Sequence, residues 1–118
     1  MTSSSIQLKQ LGQDFESLPA EAVFQFKERR YDEFLISSER ILHINPNNLA
    51  ALLYKGIAMQ EREEYQEAIA CFQKVNEQCP FFPHSWFCKG ECLLRTGEYD
   101  ETLNAFKEFT SLNPKKSL

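Results

Sequence analysis

The stretch PHSWFCKGECLLRTGEYDETLNAFKEFTSLNP, residues 83–114, decides the fold of this chain. Its apolar residues follow a helical period on both sides of a short turn at residues 96–98, so it predicts two amphipathic helices. Its closing proline recurs upstream at one fixed interval, because 114−80 equals 80−46 for Pro46, Pro80 and Pro114. Tyr31, Tyr65 and Tyr99 keep the same spacing. Self-similarity at such a period indicates a stacked helical repeat.

Three helix pairs are predicted along the chain, at about 18–30 with 31–44, 49–60 with 65–78, and 84–95 with 99–112. Each pair ends before a proline, because the residue that precedes proline disfavours helical backbone angles. Asn47 and Asn48 are candidate caps for the third helix, and Gly97 is a candidate left-handed terminator of the fifth. The repeats are predicted at about 15–48, 49–82 and 83–114, within a 15–114 domain. Residues 1–14 are expected to form an N-terminal arm or short helix, and residues 115–118 a polar tail.

Small residues at fixed positions explain how the two helices of a pair approach each other. Gly56 and Gly90 give each first helix a notch, since the distance between helix axes depends on the side chains at the contact. Phe72 and Phe106 are expected to fill the space between neighbouring pairs. One pair cannot bury both of its faces, so the pairs must stack.

These residues resemble the tetratricopeptide repeat, whose pattern is Trp-x2-Leu-Gly-x2-Tyr, then Ala-x3-Phe, then Pro. The third repeat reads Trp86-x2-Lys89-Gly90-x2-Leu93, Thr102-x3-Phe106 and Pro114. The second reads Leu52-x2-Lys55-Gly56-x2-Met59, Ala68-x3-Phe72 and Pro80. The first repeat departs most, with Gln25, Phe34 and Ser38 off the pattern. The resemblance implies an all-α fold, a right-handed α-solenoid of three helix-turn-helix repeats with a short N-terminal helix or arm.

Lys55 and Lys89 stand where the pattern has a buried leucine. Their stems are expected to pack while the amines reach solvent. The alternative is that the two lysines contact acidic groups nearby or mark an altered angle between helices.

The resemblance also implies a concave surface lined by the first helix of each repeat. The residues placed there are Val23, Phe26, Lys27, Leu53, Tyr54, Ile57, Phe87, Cys88, Glu91 and Leu94. Most of them are apolar, and a contiguous apolar surface is typical of an interaction site. Relatives that grip a chaperone's C-terminal carboxylate use lysine, asparagine and arginine donors in this groove. The matching positions here lack those donors, except for His84 if it is protonated; they are Pro19, Val23, Tyr54, His84 and Cys88.

Composition and spacing argue against several other classes of function. A net charge of −4 disfavours nucleic acid as a partner. No apolar run reaches the length of a membrane span, and the start lacks a secretory signal pattern, so a cytoplasmic location with reduced cysteines is expected. His84, Cys88 and Cys92 share a helix face but extend over about 12 Å, too far for one metal ion. No metal, cofactor or catalytic group is therefore predicted.

The sequence predicts a protein-interaction scaffold that is not an enzyme. Its groove is expected to bind an apolar or amphipathic segment of a protein or peptide partner. Two alternatives are a regulatory or targeting module excised from a larger protein and a self-assembling structural unit. A homo-oligomer would use the N-terminal arm or the last helix, where Phe106, Phe109 and Leu112 have no following helix to cover them.

Overall fold

The computed structural model describes residues 17–112, in which the secondary structure consists of six α-helices. They are α1 (Ala20–Lys27), α2 (Tyr31–Ile44), α3 (Leu49–Glu61), α4 (Tyr65–Gln78), α5 (Pro83–Arg95) and α6 (Tyr99–Leu112). The predicted arm, the C-terminal tail and Pro114 lie outside the described residues. Consecutive helices pack against each other along the whole series. The predicted all-α solenoid of three helix pairs is therefore confirmed.

The helix limits follow from local chemistry. The Asn48 side chain accepts a hydrogen bond from the Ala51 amide at 3.0 Å and caps α3, as predicted. Pro83 begins α5 one residue earlier than predicted, because proline is well suited to the first helical position. Residues 17–112 contain no helix long and apolar enough to cross a lipid bilayer.

The turn inside each repeat contains a residue with a left-handed backbone. These residues are Arg29 (φ 60°), Glu63 (φ 63°) and Gly97 (φ 83°), and each is one full repeat after the last. Each turn closes with the same hydrogen bond, from the next amide to the carbonyl five positions earlier, such as Glu64 to Met59 at 2.8 Å. The repeat geometry therefore imposes this conformation even where the sequence supplies no glycine.

The glycine notches hold aromatic rings of the same repeat. A Cβ atom on Gly56 would lie 2.7 Å from the Phe72 ring, and one on Gly90 would lie 2.4 Å from the Phe106 ring. The expectation that these rings mainly fill space between pairs is thus wrong. They fill the notch where the two helices of one pair cross, which brings those helices together.

The off-pattern first repeat keeps the volume of its core by exchanging two positions. Phe34 and Ser38 are the equivalents, one repeat earlier, of Ala68 and Phe72, so the large and small residues trade places one turn apart. Both Phe34 and Ser38 are fully buried. Exchanges that conserve volume are tolerated in protein cores, so this exchange is compatible with a packed helix pair.

A polar pair is buried at the junction between the second and third repeats. Ser85 donates a hydrogen bond to Asn76 Oδ1 at 2.6 Å, while Asn76 Nδ2 has no hydrogen-bond partner within the described residues. Both side chains are buried between α4 and α5. A buried amide that is half satisfied costs stability, so the Asn76 side chain weakens this junction.

Candidate partner-binding surface

The first helices of the second and third repeats form a continuous layer. Besides its contacts with α4, helix α3 packs directly against α5. Gln60 Nε2 donates a hydrogen bond to Glu91 Oε1 at 3.2 Å across this contact. We call the exposed side of α1, α3 and α5 the inner face.

An aromatic group joins α1 to α3 at one end of the inner face. The Phe26 ring lies edge-on to Tyr54, with 4.8 Å between ring centroids, and edge-on to Phe34 at 5.2 Å. Phe26, Tyr54 and the neighbouring Val23 are half-buried, so each keeps part of its side chain on the surface. The structure therefore brings these three predicted residues together on adjacent helices.

The remaining predicted residues differ in how far they reach the surface. Ile57 and Glu91 are half-buried, Lys27 is exposed at the end of α1, and Leu94 is 49% exposed. A helix face that carries an exposed leucine or a half-buried isoleucine is more apolar than a simply solvated helix face. This part of the inner face offers apolar area to a ligand.

Leu53 and Cys88 do not contribute an exposed surface, and the prediction that they line an open groove is wrong in this respect. Leu53 is 3% exposed and Cys88 is 5% exposed, and both belong to the core cluster that includes Phe72 and Phe82. The helical period places a residue on a face, but it does not show how closely the next repeat approaches that face.

Phe87 turns toward the last helix. Its ring centroid lies 5.8 Å from that of Phe106 and 5.1 Å from that of Phe109. It is half-buried in this aromatic cluster, so substituting it would disturb α6 as well as the inner face. We therefore place Phe87 at the edge of the candidate surface.

The sequence reasoning missed a polar depression at the far end of the inner face. It has a volume of about 350 Å³ and is lined by Gln60, Glu61, Glu63, Tyr65, Glu91 and Arg95. Gln60 and Glu61 precede Leu94 and Arg95 by one repeat, so the repeat period would have identified them. Carboxylates outnumber the single arginine in this lining, which makes this end of the inner face acidic.

The thiols and the histidine of α5 are uncharged at neutral pH. Burial raises the pKa of the Cys88 thiol to about 12, and burial likewise raises that of Cys92 to about 12. Desolvation by its surroundings lowers the pKa of His84, although the Glu91 carboxylate opposes this shift. His84 Nε2 lies 3.6 Å from Cys88 Sγ. Within the described part of the chain, no group of three or more histidine, cysteine or acidic side chains is arranged to hold a metal ion.

The outer side of α6 is an apolar end face, which we define by Tyr99, Leu103, Phe106, Phe109 and Leu112. Tyr99 is 65% exposed and Leu103 is 61% exposed, whereas their equivalents one repeat earlier, Tyr65 and Ile69, are half-buried against the core. The third repeat begins beside those equivalents and covers them. The end face is the equivalent surface of the third repeat, and none of the described residues forms a further repeat to cover it.

Comparisons with known proteins agree with this architecture. A family model described as "Anaphase-promoting complex, cyclosome, subunit 3" (ANAPC3) matches residues 27–109. The Signal recognition particle subunit SRP72 of Dictyostelium discoideum is 31% identical over 100 residues, which cover 76% of this chain and 14% of that protein. The chain thus spans a small part of the length of this curated relative.

Solved structures share the fold at low sequence identity. A crystal structure of MamA superposes with a TM-score of 0.75 and 20% identity, over 81% of this chain and 56% of that one. The second TPR of Spaghetti (RPAP3), bound to the HSP90 peptide SRMEEVD, gives a TM-score of 0.75 and 15% identity over 92% and 98%. At this level of sequence identity, these similarities show only that the fold is shared.

Three stacked helix pairs that recur at one fixed interval define a tetratricopeptide-repeat solenoid. The family match covers well over half of the sequence, and the chain belongs to the ANAPC3 family.

Proposed function

We propose that this chain is a protein-interaction scaffold whose inner face binds an apolar or amphipathic segment of another protein. The observation that supports the proposal is that apolar side chains on three successive first helices each keep part of their area exposed, namely Phe26, Tyr54, Ile57 and Leu94. Exposed apolar surface with a polar rim is typical of a site for a partner. Because these residues lie on packed helices, we expect binding without large rearrangement.

The proposal includes no catalytic role. A cysteine nucleophile requires a lowered pKa, and the pKa values of Cys88 and Cys92 are raised instead. Helical repeats of this type serve as frames for binding surfaces, and their specificity lies in the residues on the surface.

The partner is not expected to be a chaperone tail. The RPAP3 structure holds the peptide SRMEEVD, but the matching positions in this chain offer no charged donor. Sequence alone left His84 as a candidate cation, and its lowered pKa makes it neutral at pH 7. Recognition of a carboxylate needs charge-assisted hydrogen bonds, so we expect no measurable binding of SRMEEVD.

A peptide selection tests the proposal without a known partner. Random peptides displayed on phage are selected on the purified chain, and the best sequence is synthesised for affinity measurements. We expect the selected peptides to be apolar or amphipathic. Ile57→Glu and Leu94→Glu should each weaken the binding of the synthetic peptide at least tenfold, because each buries a carboxylate in the contact.

Ile36→Glu is the matched control for Leu94→Glu, since Ile36 is also an exposed apolar residue but lies on α2, away from the inner face. It should bind the peptide as well as the unmodified chain does. Equal binding by all three variants, or a selection that enriches no sequence, would contradict the proposal.

A second candidate function is self-assembly through the apolar end face, favoured by the exposure of Tyr99 and Leu103 relative to Tyr65 and Ile69. Sedimentation velocity should then show a mass that rises with concentration, and Leu103→Glu should abolish the rise. A strict monomer at high concentration would exclude this candidate. The small share of SRP72 that the chain covers supports the other alternative, a module within a larger protein.

The predictions of a cytoplasmic location and of no nucleic-acid partner remain proposals. The second of them depends on the composition of the chain, above all on the net charge of −4.

A further inference from the structure

A pocket lies between the first and second repeats, on the side of the second helices and away from the inner face. Its volume is about 430 Å³, and its walls come from α2, α3, α4 and the link between α2 and α3. The residues that matter here are Leu42, Pro46, Leu52, Lys55, Met59 and Cys71. This volume is within the range of small-ligand sites in proteins.

The equivalent place at the next junction contains a tryptophan of the chain itself. Trp86 is the equivalent of Leu52 one repeat later, and its indole Nε1 donates a hydrogen bond to the Pro80 carbonyl at 2.9 Å. Lys89 Nζ lies over the ring, 5.5 Å from its centroid. The Pro80 carbonyl and the Lys89 ammonium group thus hold the Trp86 indole at this junction.

A proline and a lysine are also present at the first junction, which has no tryptophan between them. Pro46 and Lys55 are the equivalents of Pro80 and Lys89 one repeat earlier, and both line the pocket. Leucine in place of tryptophan at residue 52 leaves the space that an indole would fill. The chain therefore provides two settings for an indole and fills one of them.

We propose that this pocket binds an aromatic side chain, above all tryptophan, presented by a partner protein. The Pro46 carbonyl would accept the indole N–H, Lys55 would lie over the ring, and Leu42, Leu52 and Met59 would contact its faces and edge. Tryptophan fits because it combines a large apolar body with one donor, and it is the aromatic ring that attracts a cation most strongly. The pocket is separate from the inner face, so this proposal does not depend on the function proposed above.

The bond between Lys55 and Glu39 does not prevent such binding. At the second junction Lys89 bonds to Gln73, the equivalent residue of the preceding repeat, while it also lies over Trp86. One ammonium group therefore satisfies both partners at once. The side chains of His43, Glu67 and Lys74 complete the rim with mixed charge, which suits a neutral aromatic group better than an anion.

Titration with N-acetyl-L-tryptophanamide, followed by NMR chemical shifts of the labelled chain, tests the proposal. We expect saturable shifts confined to the residues around Leu42, Met59 and Cys71. The derivative methylated on the indole nitrogen should bind more weakly, because it cannot donate to Pro46. Leu52→Trp should remove the shifts by filling the pocket from within.

Two lysine substitutions form a matched pair of variants. Lys55→Met removes the cation from the pocket and should weaken binding roughly two- to fivefold, the range expected for one cation–π contact. Lys89→Met makes the same change beneath Trp86 and should leave the affinity unchanged. If Leu52→Trp does not fold, this pair decides the question alone.

Three results of the titration would overturn the proposal: no saturable shift, shifts centred outside the pocket, or equal weakening by the two lysine variants. A tryptophan-containing peptide must also bind at least as well as N-acetyl-L-tryptophanamide. Binding of N-acetyl-L-tryptophanamide with exclusion of the peptide would contradict the assignment to a partner protein and indicate a small-molecule site instead.

Discussion

Lys55 on α3 bonds to Glu39 on α2 across the first repeat junction. An equivalent contact recurs one repeat later, where Lys89 donates a hydrogen bond to the Gln73 amide oxygen across the second junction. Lys55 is only 19% exposed, so its stem packs as expected for a snorkelling lysine, but its amine ends on the preceding repeat. Each lysine that replaces the expected leucine therefore connects two repeats.

Removing the carboxylate at the first junction should weaken the fold slightly. Glu39→Ala should lower the free energy of unfolding by about 0.5–1 kcal/mol, a small value because Glu39 is itself largely exposed. Adding Lys55→Leu should restore stability, since an apolar residue then occupies the largely buried position. Urea denaturation measures both effects. Glu108→Ala on α6 is the control for the change of helix propensity, and a loss equal to that of Glu39→Ala would refute the junction bond.

Two substitutions at the left-handed turn residues should change the stability of the chain in opposite directions. Glu63→Gly should stabilise the chain by about 0.5–1 kcal/mol, because glycine adopts a positive φ without strain. Gly97→Ala should destabilise it by a similar amount through the backbone alone, since a Cβ atom there would meet nothing within 4 Å. Thermal unfolding of the two variants checks the signs. A loss of stability in Glu63→Gly would show that the turn is not strained.

Filling the two glycine notches with a methyl group should lower the stability of the chain by unequal amounts. Gly56→Ala should destabilise the chain by about 1–3 kcal/mol, because the Phe72 ring is fully buried and cannot move away. The added Cβ of Gly90→Ala would lie even closer to the Phe106 ring. This variant should nevertheless lose less stability, since the half-buried Phe106 ring can shift toward solvent. Denaturation midpoints compare the two variants. The reverse order would mean that the end face is packed as tightly as the interior.

Alkaline pH should destabilise the chain through its buried thiols. The folded state holds the pKa of Cys88 and of Cys92 at about 12, while an unfolded thiol titrates at about 8.5. Between these values the folded state binds more protons than the unfolded state, so stability is complete below the lower value and falls as pH rises above it. Unfolding measured from pH 8 to 10.5 should show this fall.

Cys92→Ala is the control for the alkaline effect, because alanine occupies the equivalent buried position, residue 58, one repeat earlier. This variant should lose stability less steeply with pH. An unchanged slope would assign the alkaline transition to other groups.

Much of the fold could be predicted from the sequence because the repeat period and the helix-ending prolines are local signals. Helix α6 lies at residues 99–112 as predicted, and α2 and α4 also match their predicted ranges. The strained turn at Glu63 was not predicted, because a glutamate gives no sign of a positive φ; its spacing from Gly97 was the available signal. The exchange of Phe34 and Ser38 depends on packing between helices, which the period alone does not show.

The candidate site could be predicted less well. The family resemblance placed Val23, Ile57 and Leu94 on the concave surface, and all three retain exposed area. It placed Leu53 and Cys88 there too, yet the neighbouring repeat buries both. Exposure depends on how closely successive repeats stack, and residues far apart in the sequence decide that distance.

The central claim is that the inner face is where a partner segment binds. The most direct measurement is chemical-shift mapping of the isotope-labelled chain with a peptide from the phage selection. We predict that the largest shifts lie on α1, α3 and α5, around Tyr54, Ile57 and Leu94. A map centred on α2, α4 and the outer side of α6, with the inner face unchanged, would contradict the claim.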